Sequence, residues 1–342
     1  MQTKLIQKTT ENKNATAEPS NYAKIFSKKF FKSYLITMRP YLLFVSGITG
    51  IAGLSFSPDI NLLFTILLGW CFFLSYGFGQ ALTDCFQMDT DSISSPYRPL
   101  VKGEINKYDV IIISLSGLVV IGLIISFNNL LNLGLSLLAV IGLSTYTYFK
   151  RKWWGGPFYN SWIVALLCVM AFLSTGLTSI HELKRPELIS ALAAVFFGYA
   201  NFVLSGYFKD ISADKASEYH TFPVIFGMKL SSYVSDIFAT LMIAGWGGFI
   251  YFYSILNDGI EYYYFILFAI PGIIVSFYAQ YLLHKTRSEN ESHKPIALVV
   301  HTYILLLSSI VSVNKPAWTI ALIIFYYGFI VTMKLRPMRQ QI

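Results

Sequence analysis

The sequence predicts an all-α polytopic membrane protein, a bundle of nine or ten transmembrane helices around a central cavity. Of the 342 residues, 55% are hydrophobic and only 13% are charged, and the mean hydropathy is +0.55. Soluble domains usually carry about 25% charged residues, so this composition excludes an ordinary soluble protein. Ten apolar runs are also each close to the roughly 20 residues that a helix needs to span a bilayer.

The ten apolar runs follow one another along most of the chain. The last two are short and are separated only by Asn314-Lys315-Pro316, so nine spans are also compatible with the sequence. Proline and glycine inside several runs do not argue against helices, because neighbouring groups in a membrane bundle satisfy the freed backbone. The runs lie at 40–56, 60–82, 109–127, 130–149, 161–179, 187–208, 231–253, 261–283, 296–313 and 317–334.

The segments outside these runs predict a simple organisation. The N-terminal segment is polar and rich in lysine and asparagine, and it lacks the short apolar core and cleavage site of a signal peptide. We interpret it as a polar arm with an interfacial helix near Phe26–Tyr34. The predicted parts are the arm at 1–34, a single transmembrane catalytic domain at 35–336 with related halves at about 35–150 and 160–285, and a tail at 337–342.

Most positive charges fall on one side of the predicted membrane. When the runs alternate across the bilayer, 23 of the 26 lysine and arginine residues lie on the side of the N-terminus. Only Lys184, Arg185 and Lys315 lie on the other side. Because cytoplasmic segments carry the excess of lysine and arginine, the N-terminus is predicted to be cytoplasmic. The net charge of +8 is therefore mainly a sign of topology, and no nucleic-acid-binding motif accompanies it.

Two groups of aspartates, the first with a glutamine among them, lie at the edge of the apolar runs on this predicted cytoplasmic side. The first group contains Asp84, Gln87 and Asp91, and the second contains Asp210 and Asp214. Carboxylates at the edge of hydrocarbon are costly and therefore indicate function. If the second helix continues past the membrane surface, the residues of the first group share one face. Since magnesium prefers oxygen ligands and completes its shell with substrate phosphate, we predict that all five bind Mg²⁺ around one diphosphate.

Basic residues beside the acidic groups are candidates for contacting that diphosphate. Arg98 follows Asp91 by seven residues in a Ser-Pro-Tyr-Arg-Pro turn, and arginine suits bidentate contact with phosphate. Lysine acts as a point charge instead. For Lys150, the positive-inside rule alone also explains its presence, so both interpretations stay open. The predicted diphosphate-binding residues are Arg98, Lys150, Lys209 and Lys215.

Several motifs at these positions resemble the UbiA superfamily of intramembrane prenyltransferases. The family has an N-D-x-x-D-x-x-x-D stretch followed by P-x-R-P and a glycine, and a second D-x-x-x-D stretch followed by T-x-P-V-x-x-G. The resemblance covers about residues 35–310. The matching segments are Thr83-Asp84-x-x-Gln87-x-x-x-Asp91, Pro96-Tyr97-Arg98-Pro99 with Gly103, Asp210-x-x-x-Asp214, Thr221-Phe222-Pro223-Val224-x-x-Gly227, and Tyr148-Phe149-Lys150-Arg151 with Asn160.

This resemblance implies a central cavity that opens to the membrane and holds an isoprenyl diphosphate. Such enzymes ionise the diphosphate with Mg²⁺, and a hydrophobic acceptor captures the carbocation. By matching position, the four aspartates of the two motifs would be catalytic metal ligands, and Arg98 and Lys150 would bind the diphosphate. Aromatic side chains near the acidic ends are candidates to line an apolar tunnel and stabilise the cation. They are Tyr76, Phe86, Tyr97, Tyr146, Tyr148, Tyr199 and Tyr207.

The first motif departs from the family pattern at two positions. Thr83 replaces the usual asparagine, and Gln87 replaces the usual middle aspartate. Glutamine still offers a carbonyl oxygen to Mg²⁺, but the site carries less negative charge. The predicted function is a Mg²⁺-dependent prenyltransferase, and the alternative is a membrane terpene cyclase of the same superfamily, which would form its product without an acceptor. A cation-coupled transporter is a third hypothesis, because intramembrane carboxylates also mark ion paths.

Overall fold

The computed structural model describes residues 22–257 and 263–336. Most of the predicted arm and the whole predicted tail at 337–342 lie outside these ranges. The described residues form α-helices joined by short 3₁₀ turns and loops, without a β-strand. The α-helices are α1 (Lys28–Met38), α2 (Leu43–Ser55), α3 (Leu62–Asp84), α4 (Met88–Ser94), α5 (Lys107–Ile125), α6 (Leu131–Lys150), α7 (Gly155–Leu173), α8 (Pro186–Gly206), α9 (Ile211–Ala216), α10 (Phe222–Leu256), α11 (Ile266–Lys285), α12 (His293–Asn314) and α13 (Thr319–Lys334).

The described helices confirm the predicted polytopic bundle. Nine of them, counted with their flanking 3₁₀ turns, are long and apolar enough to cross a membrane. A tenth span arises if α1 is joined to the segment Pro40–Ser55, from which it is bent by 44°. The prediction of nine or ten spans is therefore confirmed for the described part of the chain.

Helix α12 lies at the centre of the bundle. It packs against α2, α8 and α11, and most of its length is buried. Around it, α2 packs on α3 and α7, and α8 packs on α7 and α10. Close helix approach depends on small residues, as at Gly53, where a Cβ atom would lie 2.2 Å from the carbonyl oxygen of Cys168.

Helix α1 lies against the ends of α3 and α5. Its Ser27 side chain caps the helix by accepting a hydrogen bond from the Phe30 amide at 3.2 Å. On the buried face, the Tyr34 hydroxyl lies 2.8 Å from the Ser114 hydroxyl of α5. The interfacial helix expected near Phe26–Tyr34 thus exists, but it continues to Met38 and packs on the bundle.

The two acidic segments meet because two short helices pack together. Helix α3 ends at Asp84 and a separate helix, α4, begins at Met88, so the condition considered above, a second helix that continues past the membrane surface, is not met. In the other half, α8 gives way to a 3₁₀ turn and then to α9, with Asp210 at its N-cap. Helix α4 packs on α9, which brings the first motif beside the second.

Candidate functional site

A cavity of about 120 Å³ lies where the two acidic segments meet. Seven of the predicted site residues line it, although the first motif is not one continuous helix. Asp214 lies just behind the lining, and Lys215 is exposed outside it. The polar and charged lining residues, apart from tyrosines, are Arg39, Gln80, Thr83, Asp84, Gln87, Asp91, Arg98, Lys150, Asn160, Lys209 and Asp210.

Asp84 is held by Arg39, a residue that the sequence analysis did not identify. One guanidinium nitrogen of Arg39 donates to both carboxylate oxygens of Asp84, at 2.8 and 3.0 Å. The Gln80 side-chain amide donates to the same carboxylate at 2.6 Å. Arg39 adjoins Pro40 ahead of the first apolar run, where its charge also fits a topology signal. Only the fold shows that it reaches the cavity.

Asp91 and Arg98 form the second ion pair of the first motif. The Arg98 Nη1 atom contacts Asp91 Oδ2 and also lies 3.6 Å from Asp84 Oδ1. Burial raises the pKa of the Asp91 carboxyl, and the nearby Arg98 opposes that rise. The turn that presents Arg98 is closed by its amide, which donates to the Ser95 carbonyl at 3.0 Å.

Lys150 connects the two motifs across the cavity. Its ammonium lies 3.3 Å from the Gln87 Oε1 atom and 3.3 Å from Asp214 Oδ1. The same ammonium lies 5.5 Å from the centre of the Tyr207 ring, within the range of a cation–π contact. The positive-inside rule does not require this buried position between the two motifs, because a lysine in a solvated loop would satisfy it equally well.

Asp214 is fully buried behind the cavity wall. Its Oδ2 atom accepts a hydrogen bond from the Thr221 hydroxyl at 3.1 Å. Its Oδ1 atom has no hydrogen-bond partner among the described residues, although Lys150 is close. Burial raises the pKa of this carboxyl to about 6, and the charge of Lys150 opposes the rise.

The segment after Asp214 fixes the position of Thr221. Thr221 is the N-cap of α10, and Pro223 occupies its first turn, where a missing N–H is tolerated. Gly227 interrupts this helix with a φ of 76°, which most side chains rarely adopt. The spacing of threonine, proline and glycine therefore has a structural cause, because it anchors the start of α10 next to Asp214.

The donor atoms of the site suit Mg²⁺. Asp84, Gln87, Asp91 and Asp210 offer oxygen atoms to the cavity. Asp214 Oδ1 lies behind them, and its charged neighbour is the Lys150 ammonium at 3.3 Å. No three carboxylate, histidine or cysteine side chains of the described chain lie close enough together to form a metal cage. Mg²⁺ usually binds through one or two carboxylates and takes its other ligands from water and substrate phosphates.

Four of the seven aromatic residues named above line the cavity. They include Tyr146 and Tyr207, whose hydroxyl oxygens lie 2.9 Å apart, together with Tyr76 and Tyr199. Phe86, Tyr97 and Tyr148 are not part of the lining. The sequence contains a signal that separates these two groups. Tyr76 and Tyr146 lie four positions before Gln80 and Lys150, so each shares a helix face with a polar residue of the lining.

Comparison with known proteins identifies a family. Residues 43–297 match the UbiA prenyltransferase family. The chain is 28% identical over 297 residues to digeranylgeranylglyceryl phosphate synthase of Thermococcus sibiricus, which covers 82% of this chain and 98% of that relative.

Two solved structures share the fold. A UbiA homolog from Aeropyrum pernix K1 superposes with a TM-score of 0.63 at 18% identity, covering 76% of this chain and 94% of the other. A UbiA homolog from Archaeoglobus fulgidus bound to GPP and Mg²⁺ gives a TM-score of 0.54 at 19% identity, covering 87% and 99%. The family match includes both acidic motifs and most of the bundle. The chain therefore belongs to the UbiA prenyltransferase family.

Proposed function

We propose that this cavity binds an isoprenyl diphosphate between its two acidic motifs and ionises it for transfer to a hydrophobic acceptor. As a member of the UbiA family, the protein is a membrane prenyltransferase. The observation that carries the site assignment is the position of Lys150, which lies 3.3 Å from both Gln87 of the first motif and Asp214 of the second. One diphosphate placed beside Lys150 would contact both motifs.

In this proposal the acidic groups bind the metal and the basic groups bind the phosphate. The five oxygen donors of the two motifs would hold Mg²⁺, which when bound neutralises the departing diphosphate as a Lewis acid. Arg39, Arg98, Lys150 and Lys209 line the cavity and would contact the phosphate oxygens directly. Lys215 has no place in this proposal because its side chain is exposed and outside the cavity lining.

The prenyl chain would extend from the cavity into an adjoining apolar pocket. This pocket lies between α3, α5, α6 and α7. Tyr76 lines both spaces and therefore marks their junction. The Tyr76 ring at the junction would face the carbocation as the carbon–oxygen bond breaks, since a cation is attracted to an aromatic face. We call this pocket the prenyl tunnel.

Transfer to an acceptor is favoured over cyclisation or cation transport. The relatives matched over most of the chain are named digeranylgeranylglyceryl phosphate synthases, and this name describes two geranylgeranyl groups on one glyceryl phosphate. A glyceryl phosphate that already carries one such group is therefore the first acceptor to test. We also propose that the site faces the cytoplasm, because 23 of 26 lysine and arginine residues fall on its side.

Substitution of the buried carboxylates tests the proposal. Asp91→Asn and Asp214→Asn should each lower turnover by about 10²–10³-fold, because each removes a charge that balances Mg²⁺ and the leaving group. The assay measures pyrophosphate and prenylated product from purified protein with Mg²⁺, geranylgeranyl diphosphate and the acceptor. Asp89→Asn is the matched control, since Asp89 shares α4 with Asp91 but pairs with the half-exposed Arg151 outside the cavity.

Each outcome of this assay has a clear meaning. Wild-type turnover in Asp91→Asn or Asp214→Asn would contradict the site assignment. Cyclic hydrocarbon formed without any acceptor, and lost in Asp91→Asn, would show the cyclase activity instead of transfer. Full turnover in chelator-treated protein would remove the role of Mg²⁺.

A further inference from the structure

A large apolar groove lies on the lipid-facing side of the bundle, away from the catalytic cavity. It has a volume of about 1100 Å³ and is bounded by α1, α3 and α5. Along α5 it extends from Ile112 to Ile124, which is about 18 Å at the helical rise of ~1.5 Å per residue. One leaflet contributes roughly half of a hydrocarbon core of ~30 Å, so the groove is about one leaflet deep.

Positive charges stand along the helix that covers this groove. Lys28, Lys29 and Lys32 are exposed on α1, and Lys32 is part of the groove lining. None of the three forms an ion pair with a carboxylate of residues 22–257 or 263–336. The carboxylate of Glu104 is near α1, but it accepts a hydrogen bond from the Ser33 hydroxyl at 2.7 Å. The lysines are therefore available to an anion at the membrane surface.

Aromatic side chains frame the same groove. Phe26 and Phe31 of the α1 region are 79% and 57% exposed, and Trp70 of α3 is 57% exposed. All three line the groove. Exposed lysines beside exposed aromatic residues are typical of a segment that lies in the lipid interface. The groove thus joins an apolar floor to a basic rim.

We propose that this groove binds one anionic phospholipid, with an acyl chain along α3 and α5 and its phosphate beside the lysines of α1. Basic residues near an anionic leaflet favour such lipids over zwitterionic ones. The groove is distinct from the prenyl tunnel, because Tyr76 is absent from its lining and the two spaces share only Ile121 among their described lining residues. The site therefore does not overlap the proposed substrate path.

Lipid retention and stabilisation test the headgroup part of the proposal. Purified full-length protein in neutral detergent is titrated with phosphatidylglycerol or phosphatidylcholine of identical chains, with native mass spectrometry and the melting temperature as readouts. We expect one phosphatidylglycerol to bind and to raise the melting temperature. The K28Q/K29Q/K32Q variant should bind it about tenfold or more weakly, because each lysine near a charged surface is worth on the order of fivefold in affinity.

Two matched controls accompany that variant. K229Q/K285Q/K294Q removes three exposed lysines that lie away from the groove, and its affinity should be unchanged. Ser116→Trp fills the groove and should abolish retention, whereas Val119→Trp changes a residue of α5 that is 59% exposed and outside the lining. Wild-type retention in Ser116→Trp would overturn the proposal.

Other occupants would also overturn it. Equal affinity for phosphatidylcholine would remove the anionic preference. Displacement of phosphatidylglycerol by geranylgeranyl diphosphate in Asp91→Asn would place substrate in the groove. Binding of phosphatidylglycerol only after deletion of residues 1–21 would mean that the chain's own N-terminal segment occupies it.

Discussion

Arg39 combines an unusual backbone conformation with a central place in the site. It ends α1 with φ and ψ of 53° and 71°, a left-handed conformation that is uncommon for residues other than glycine. Its guanidinium donates hydrogen bonds to the carboxylate of Asp84, 45 positions further along the chain. No local pattern could predict this pair, because the partners come together only when α1 packs on α3.

Substitution of Arg39 should destabilise the protein. In Arg39→Gln the buried Asp84 carboxylate loses its main cation, which typically costs about 3 kcal/mol of unfolding free energy. Equilibrium unfolding in detergent measures the loss. The double variant Arg39→Gln/Asp84→Asn should recover part of it, because no unpaired charge remains. Equal stability of the wild type and Arg39→Gln would show that the pair contributes little.

The raised pKa of Asp214 predicts pH-dependent metal binding. Since burial raises the pKa of this carboxyl to about 6, the group is ionised at pH 7 and takes up a proton as the pH falls through 6. A protonated carboxyl is a poor Mg²⁺ ligand, so Mg²⁺ affinity should fall by about tenfold per pH unit below 6. Calorimetric titration with Mg²⁺ from pH 5 to 7.5 measures this slope. Asp214→Asn should flatten it, and the same slope in that variant would assign the titration to another group.

At the scale of elements, the break between α3 and α4 is the main feature that spacing did not predict. The segment from Gln80 to Asp91 contains neither proline nor glycine, so a continuous helix was the natural expectation. In the structure the backbone of Gln87 is not helical, with φ of −120°. Its side-chain oxygen accepts a hydrogen bond from the Lys150 ammonium. Tertiary contacts override local helix preference here. The residues still converge because α4 packs on α9 and places Asp91 in the cavity lining.

The prenyl tunnel predicts a change in substrate length from one substitution. Ala139 is buried on α6 and lines the tunnel, so Ala139→Phe should block its far part. We expect the ratio of geranyl to geranylgeranyl transfer to rise about tenfold or more, since loss of pocket space discriminates strongly between chains. Competition between the two diphosphates, read by product mass, measures the ratio. Leu137→Phe, at a residue that is 63% exposed on the same helix, is the control, and equal ratios in both variants would place the chain elsewhere.

At the scale of the whole molecule, hydropathy predicted the helices but not their arrangement. The spans of α5 and α12 have similar mean hydropathies, 2.4 and 2.2, yet 28% and 83% of their apolar segments are buried. Lipid tails are as apolar as a protein core, so hydropathy does not separate a lipid-facing helix from a central one. The buried serines Ser308, Ser309 and Ser312 were a usable signal for α12. The paired motifs predicted the family. Most of the residues that carry these motifs lie together in the lining of one cavity.

The charged side chains around the proposed active-site cavity are balanced in number. Four cations and four carboxylates surround it, and close ion pairs link most of them. Balance of this kind explains how so many charges are accommodated at the edge of hydrocarbon, where unpaired ones are costly. The residues are Arg39, Arg98, Lys150 and Lys209, and Asp84, Asp91, Asp210 and Asp214.

These internal pairs have a consequence for the catalytic cycle. If the proposed site is right, an incoming diphosphate would compete with the carboxylates for these cations, and this competition would offset part of the binding free energy of the diphosphate. When pyrophosphate leaves, the ion pairs that Arg39, Arg98 and Lys150 form with the carboxylates in this structure would form again and would lower the free energy of the free enzyme. The cations would then stay in place while diphosphate and carboxylates alternate as their partners. The carboxylates of the protein would thus compete with pyrophosphate and favour its release.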